Sequence, residues 1–400
     1  MNRLSLTLFG LAAVSLVALT VLLAACGSPA HAATPPPAAA APAGQSAPAD
    51  SLVPARQRLE EALARYRQIA QDSGWPTVPD GDLVEPGDTA ATQVQALRDR
   101  LAATDELGGA DPTGDVYDGA LVGALARFQA THGLAVDSLL GGNTRAALNE
   151  SADRRVEQIQ STLARWDELP AFPTGPDARY VVVNVPEFRV RAFEGGREAL
   201  QMEVIVGASY DGRETPLFHD RMEHVIFRPY WGVPASIASE ELVPQGPSAL
   251  EAKGFEIAAN YNADAEAYPM TWANLRRVGD GELRLRQTPG PDNALGLVKY
   301  MFPNQHAVYL HDTPADQLFD EADRAFSHGC IRLERPAAFG AWVLGPQGWD
   351  EARVRENMTS GEREKVVLDE EIPVYIVYLP VWADAGGAVH FAQDVYDEIN

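Results

Sequence analysis

Tyr309-Leu310-His311-Asp312-Thr313 and, a little further on, Ser327-His328-Gly329-Cys330-Ile331-Arg332-Leu333 are the two stretches that decide how this 400-residue sequence is read. A thiol on a short loop ahead of a helix is placed to act as a nucleophile, but a free cysteine, with a pKa of about 8.5, is only a few per cent ionised near neutral pH. It needs an imidazole or a helix N-terminus to favour the thiolate. Gly329 removes the Cβ that would crowd an approaching carbonyl, and the backbone N–H groups around His328 and Gly329 can meet the carbonyl oxygen as it turns negative. Spacing alone leaves the base open. His328 sits two residues from the thiol and shares its face in extended backbone, whereas His311 would approach from a neighbouring strand. Tyr309 shares a strand face with His311 and either lines the pocket or packs as a half-buried sheet tyrosine. Arg332 shares a face with Cys330, where its planar guanidinium either holds a peptide carboxylate or pairs with Glu334 or Asp312.

Outward from these stretches the pattern is that of short strands. Arg179 to Val185, Phe188 to Phe193, Leu200 to Val206 and Glu223 to Arg228 are β-branched or alternating runs punctuated by Pro, Gly and Asp, which predicts a mainly antiparallel sheet or sandwich. Residues 232–300 are less regular and rich in Pro, Gly and Asn, and are read as a lid. Tyr230 and Trp231 at its root are read as packing. A helix begins near Pro336 and a last strand spans Val374 to Leu379. The catalytic region therefore covers 178–382, with 383–400 a tail that carries no motif.

Before residue 178 the period is helical. A helical scaffold at 51–114 carries the stripes Leu59, Leu63, Tyr66, Ile69 and Val94, Leu97, Leu101. At 115–150, Leu121, Leu125 and Phe128 form a further stripe, Asp137 to Gly142 turns, and Thr144 is a candidate cap for a helix running to Leu148. Residues 151–177 hold a linking helix through Val156, Ile159, Leu163 and Trp166. The fold class is thus α+β and multidomain.

A formal net charge of -24 repels phosphate backbones and argues against nucleic acid as a partner. Only two cysteines, Cys26 and Cys330, leave no disulfide framework. The almost wholly apolar stretch after Arg3 reads as an export signal over residues 1–25. Positions 27–50 hold ten Ala and six Pro, too few large apolar groups to offset the entropy of ordering, so 26–50 reads as a tether.

Several of these segments carry resemblances. Ser327-His328-Gly329-Cys330-Ile331-Arg332, with His311 upstream in Tyr-Leu-His-Asp, resembles the signature of the YkuD-type L,D-transpeptidases. That implies Cys330 as nucleophile and His311 as general base, with the backbone carbonyl of Asp312 orienting the imidazole. Arg286-Gln287-Thr288-Pro289-Gly290, Asn293-Ala294-Leu295-Gly296 and Phe302-Pro303-Asn304 resemble the YcbB-like branch, which implies a helical scaffold, an inserted peptidoglycan-binding module and a lid on a YkuD-type sandwich. Ala124 to Gln129, Gly133-Leu134, Asp137, Gly141, Thr144 and Ala147-Leu148-Asn149 look like the small three-helix peptidoglycan-binding module, although Ser138 stands where that family usually has Gly. Leu23 to Cys26 resembles a lipobox, which implies lipidation of Cys26 and an envelope protein anchored by lipid and facing the periplasm. Gly27 after the cysteine favours the outer membrane if the envelope is Gram-negative.

The expected activity is acyl transfer on peptidoglycan stem peptides through a Cys330 thioester, giving 3→3 cross-links without metal or organic cofactor, with carbapenems as expected inhibitors. Alternatives are an L,D-carboxypeptidase or hydrolase using the same thioester, and a non-catalytic wall-binding lipoprotein. An inert core cysteine and a zinc site built from His311, Asp312, His328 and Cys330 remain as blander readings of the same residues.

Overall fold

The computed structural model describes residues 52–109, 113–210 and 212–398; the export signal, the tether and Cys26 lie outside them. Five helices come first: α1 (Leu52–Gln71), α2 (Ala91–Ala102), α3 (Gly119–Thr131), α4 (Gly142–Asn149) and α5 (Ala152–Glu168). The α2 stripe of Val94, Leu97 and Leu101 packs with Leu121, Leu125 and Phe128 of α3 and Leu148 of α4, so the core of the small module includes a helix that its sequence pattern assigns to the preceding scaffold. Asp118 caps α3 by accepting from the N–H groups of Ala120 and Leu121, and also accepts from the buried Arg98 guanidinium at 2.7 Å.

The turn between α3 and α4 is pinned by one buried side chain. Gln129 donates to Asp137 at 2.7 Å and to Thr144 at 3.2 Å, and accepts from the Ser138 N–H at 2.8 Å. Ser138 is thereby held in the left-handed region at φ +56°, where glycine would carry no steric penalty. Thr144 lies inside α4 rather than capping it, since the cap position belongs to Gly141. Its hydroxyl is used by Gln129 instead.

The strands follow. β1 (Arg179–Asn184), β2 (Arg189–Glu194), β3 (Arg197–Gly207) and β4 (Phe218–Phe227) are succeeded by the short β5 (Trp231–Gly232), β6 (Phe255–Ala258), β7 (Ala267–Tyr268) and β8 (Arg284–Gln287). β9 (Val298–Met301), β10 (Leu310–His311), β11 (Ala325–Ser327), β12 (Ile331–Leu333) and β13 (Glu364–Val377) complete the catalytic region. The main sheet runs β11-β3-β12-β10-β9-β4-β13-β1-β2, and β2 also pairs with β3, so the ladder closes on itself. Most neighbours are antiparallel, but β1 with β13, β10 with β12 and β3 with β11 are parallel. Val181, Val204, Val225, Tyr300, Leu310, Ile331 and Leu333 fill the interior with Phe339 and Val343 of the helix Pro336–Leu344. The strands β5-β8-β6-β7 form a separate small sheet with its own core around Val233, Leu250, Ile257, Leu275 and Leu285. This is the segment read as a lid. Trp231 packs there against Phe255, with ring centroids 6.0 Å apart, and Tyr230 lies under the Arg286 guanidinium.

The tail does more than its sequence suggests. β14 (Val381–Ala383) and β15 (Val389–Phe391) form a hairpin whose Val381, Val389 and Phe391 join Leu59, Leu63 and Tyr66 of α1 and Ile159 of α5 in one core. Phe391 also stacks on His132 beside α3, centroids 5.3 Å apart, and lies under Arg155 of α5. Truncating so large and buried a ring leaves a cavity that the surrounding helices can fill only in part. Phe391→Ala should therefore cost about 3–5 kcal/mol, read as a drop in the urea midpoint.

Candidate active site

β10 is the pivot of the site. It pairs antiparallel with β9, placing Leu310 opposite Tyr300 and His311 opposite Lys299, and parallel with β12, placing Leu310 beside Ile331 and His311 beside Arg332. Leu310, Ile331 and Tyr300 are fully buried in the core. Because side chains alternate along a strand, the other face collects His311, Lys299 and Arg332, and two residues earlier, just ahead of β10 and β12, it collects Tyr309 and Cys330. Neighbouring strands, rather than a neighbouring residue, bring the thiol and the upstream histidine to one surface.

His311 is buried, and its Nδ1 lies 2.5 Å from the carbonyl oxygen of Asp312. That contact places the proton on Nδ1 and leaves Nε2 as the basic nitrogen. Burial, and then the Arg332 and Lys299 charges, push the imidazole down to about 3 against the pull of the Asp312 backbone, so it is neutral at neutral pH. The Asp312 side chain plays a separate part, accepting from the N–H groups of Leu297 at 2.7 Å and Thr313 at 2.8 Å. Gly296 permits this, since a Cβ there would collide with the Asp312 carboxyl and the position has φ +60°.

Cys330 is half-buried, with Sγ 3.7 Å from the Ala307 carbonyl oxygen. Ala307 belongs to a turn organised by Asn304, whose side chain accepts from the N–H of His306 and of Val308 and donates to the carbonyls of Phe302 and Val308. Burial pushes the Cys330 thiol up, while the backbone and hydroxyl of Tyr309, then Lys299 and Arg332, pull it down. Arg332 does not pair with Glu334 or Asp312: Glu334 lies against Arg335, Asp312 is taken by backbone N–H groups, and the buried Nε of Arg332 has no hydrogen-bond partner among the described residues. Nor do three His, Cys, Asp or Glu side chains gather as a metal-ligand set among the described residues.

Residues 178–368 match the family described as the YkuD L,D-transpeptidase catalytic domain, and residues 91–148 match a "Putative peptidoglycan binding domain". The chain carries a YkuD L,D-transpeptidase catalytic domain. Over 245 residues it is 29% identical to a "Putative L,D-transpeptidase" of Haemophilus influenzae, covering 60% of this chain and 47% of that protein. The chain thus spans about half the length of the curated relative it matches. Among solved structures, an L,D-transpeptidase from Xylanimonas cellulosilytica is similar with 16% identity and a TM-score of 0.25, covering 74% of this chain and 98% of that one. L,D-transpeptidase 1 of Mycobacterium tuberculosis is similar with 14% identity and a TM-score of 0.23, covering 50% of this chain and 62% of that one.

In this transpeptidase domain the Cys330 loop is fixed from both sides. Gly329 adopts φ +104°, a conformation open to glycine. Its N–H donates to Ser327 Oγ at 3.1 Å, a contact that serves the loop's geometry. Ser327 Oγ in turn donates to the Cys330 carbonyl at 2.5 Å, and Thr215 donates to the Gly329 carbonyl at 3.0 Å. Tyr396, in the tail, donates to the Gly207 carbonyl and accepts from the Thr215 N–H, while Gln393, three residues earlier, donates to the Gly133 carbonyl of the small module. His328 reaches away to Glu241 in the lid at 2.8 Å, and Arg213 meets the same carboxylate at 2.7 Å, which holds Glu241 below the usual carboxylate range.

Sequence reasoning missed Thr215, Glu241, Lys299 and Tyr396. Lys299 alone left a trace: a single charge inside the otherwise apolar run Val298 to Met301.

The imidazole of His311 gives the domain an acid-sensitive core. Its folded pKa lies below that of the unfolded chain, so between pH ~6.5 and ~3 the unfolded state binds the extra proton and stability falls as pH falls. His311→Gln should flatten the urea midpoint against pH over that window, by about 2–4 kcal/mol at its acid end. His132 and His224, also pushed down by burial, retain part of the slope.

Proposed function

We propose that this protein is an L,D-transpeptidase of peptidoglycan stem peptides that forms 3→3 cross-links through a Cys330 thioester. The observation that carries the reading is the convergence of neutral His311 and Cys330 on one face across the parallel β10–β12 pair. Sγ attacks the carbonyl carbon of an L,D-amide in a donor tetrapeptide while Nε2 of His311 takes its proton. The N–H groups of His328 and Cys330, on either side of the occupied Gly329 N–H, are the donors proposed to face the oxyanion. Collapse expels the terminal D-amino acid, whose amine takes the proton from His311, and leaves an acyl thioester. An acceptor amine on a neighbouring stem then attacks, its proton passing by way of His311 to the departing sulfur. Neither step calls for a metal or organic cofactor.

The match of residues 91–148 to a peptidoglycan-binding family supports retention at the wall. The lipobox-like Cys26 supports a lipid anchor on the periplasmic side of the envelope, the outer membrane if it is Gram-negative, and the Ala/Pro tether spans roughly 75 Å when extended. A carbapenem is a strained amide that the same thiol should open and retain as a thioester.

Purified protein incubated with sacculi should yield 3→3 dimers on mass spectrometry of the digest, and Cys330→Ser should yield none. Trimmed tripeptides without dimers would assign the thioester to water and make the enzyme an L,D-carboxypeptidase. Intact-mass analysis after exposure to a carbapenem should show one added drug-derived mass mapping to Cys330 and absent from Cys330→Ser; an active but unmodified protein would count against the pocket described.

A further inference from the structure

The chain has only three lysines, Lys253, Lys299 and Lys365, and one of them lies in the active site. Lys299 sits opposite His311 across β9 and β10, on the face that carries Cys330, with Nζ 5.0 Å from the centroid of the Tyr309 ring. The Tyr309 ring is in turn 5.7 Å from that of His311, and the carbonyl of Tyr309 accepts from the Ile331 N–H directly after Cys330. Neither Lys299 nor Arg332 forms an ion pair with a carboxylate among the described residues. The other charge bearing on Lys299 is Arg363, at the head of β13, which has the same sign.

Two cations withdrawn from water without an anion are costly, and an anion created between them is correspondingly favoured. The groups facing the thiol are Tyr309 just ahead of β10, Lys299 on β9 and Arg332 on β12, and among these and the thiol itself the group that becomes an anion at small cost is the sulfur. His311 is a poor alternative cation, because burial and the same two positive charges oppose its protonation. Lys299 and Cys330 respond to each other in the reciprocal sense: burial and then Arg363 push the ammonium down to about 8 against the upward pull of the thiolate.

We propose that the Lys299 ammonium, flanked by Arg332, is the counter-ion of the Cys330 thiolate in place of a protonated His311. This rests on Cys330 being the nucleophile. When the S–H bond breaks, the electron pair stays on sulfur facing Lys299, and the proton moves through Nε2 of His311 to the leaving amine or, in the free enzyme, to water. Lys299 is a positioning charge that acts on the thiol rather than on substrate.

The test is the pH dependence of Cys330 alkylation by iodoacetamide in the full chain, followed by mass spectrometry of the Cys330 peptide. Lys299→Met should move the midpoint upward by about one pH unit, making alkylation about tenfold slower on the acid side of the midpoint. Lys299→Arg should keep the wild-type midpoint, and His311→Gln should leave it within a few tenths of a unit. An unchanged midpoint in folded Lys299→Met, or a rise in His311→Gln instead, overturns the proposal. Should Lys299→Met not fold, the wild-type protein carries the same test: after 13C reductive methylation, the Lys299 resonance, assigned by its loss in Lys299→Arg, should titrate at lower pH once Cys330 is alkylated. A titration insensitive to alkylation overturns the counter-ion. Persistence of 3→3 cross-linking in that case would leave the nucleophile reading intact.

Discussion

The parallel pairing of β10 with β12 is the constraint on which the site depends. Each strand is very short, and neither has a local reason to hold its residues beside the other's. What fixes them is the core on the opposite face, where Leu310, Ile331, Leu333 and Tyr300 are sealed from water. A slip of one residue in either strand would turn those apolar groups outward and send His311 or Cys330 into the interior. The hydrophobic effect that closes the sheet therefore also sets the register of His311 and Cys330.

Around that pair the protein directs its hydrogen bonds to geometry. The buried carboxyl of Asp312 holds the backbone of Leu297 and Thr313, so its own main-chain oxygen stays aimed at His311. On the other strand, Ser327, Thr215 and Tyr396 form a relay that fixes the left-handed Gly329. The relay begins in the tail, which also stacks Phe391 on His132 and bonds Gly133. Helical module, tail and Cys330 loop are thus consecutive links of one packed chain, and the His328 to Glu241 contact ties the lid to the same loop.

The legible part of this arrangement was the part written in local chemistry. Val-rich alternation marked β1 and β3, and the apolar stripes marked α1, α2, α3 and α5, because burial of one face demands that periodicity. Ser-His-Gly-Cys with an upstream histidine marked the candidate site, because a compound pattern of that kind is more specific than any one of its residues. The closure of β2 on β3 and the parallel pairings were not legible, since they depend on partners far apart in sequence. The same reason hid Thr215 and Tyr396, which act through a hydroxyl and a backbone carbonyl and look like any loop residues. Gln129 shows the intermediate case: it lies in a recognised motif, but its capture of Asp137, Ser138 and Thr144, which displaced Thr144 from its expected capping role, needed the turn to be seen.

Burial has opposite consequences for the reacting groups, and their balance explains the choice of side chains. Withdrawing Cys330 from water disfavours the thiolate, which keeps the resting sulfur protonated and protects it from adventitious oxidation. Withdrawing His311 disfavours the imidazolium, which keeps the imidazole neutral far below neutral pH. A pair in which each partner supplied the other's counter-charge would be penalised twice in so dry a site. Burial opposes the charges of Lys299 and Arg332 as well, but lysine and arginine start from so high a pKa that Lys299, pushed down to about 8, still carries its charge at neutral pH. Positive charge is therefore built into β9 and β12 beside a histidine that stays neutral.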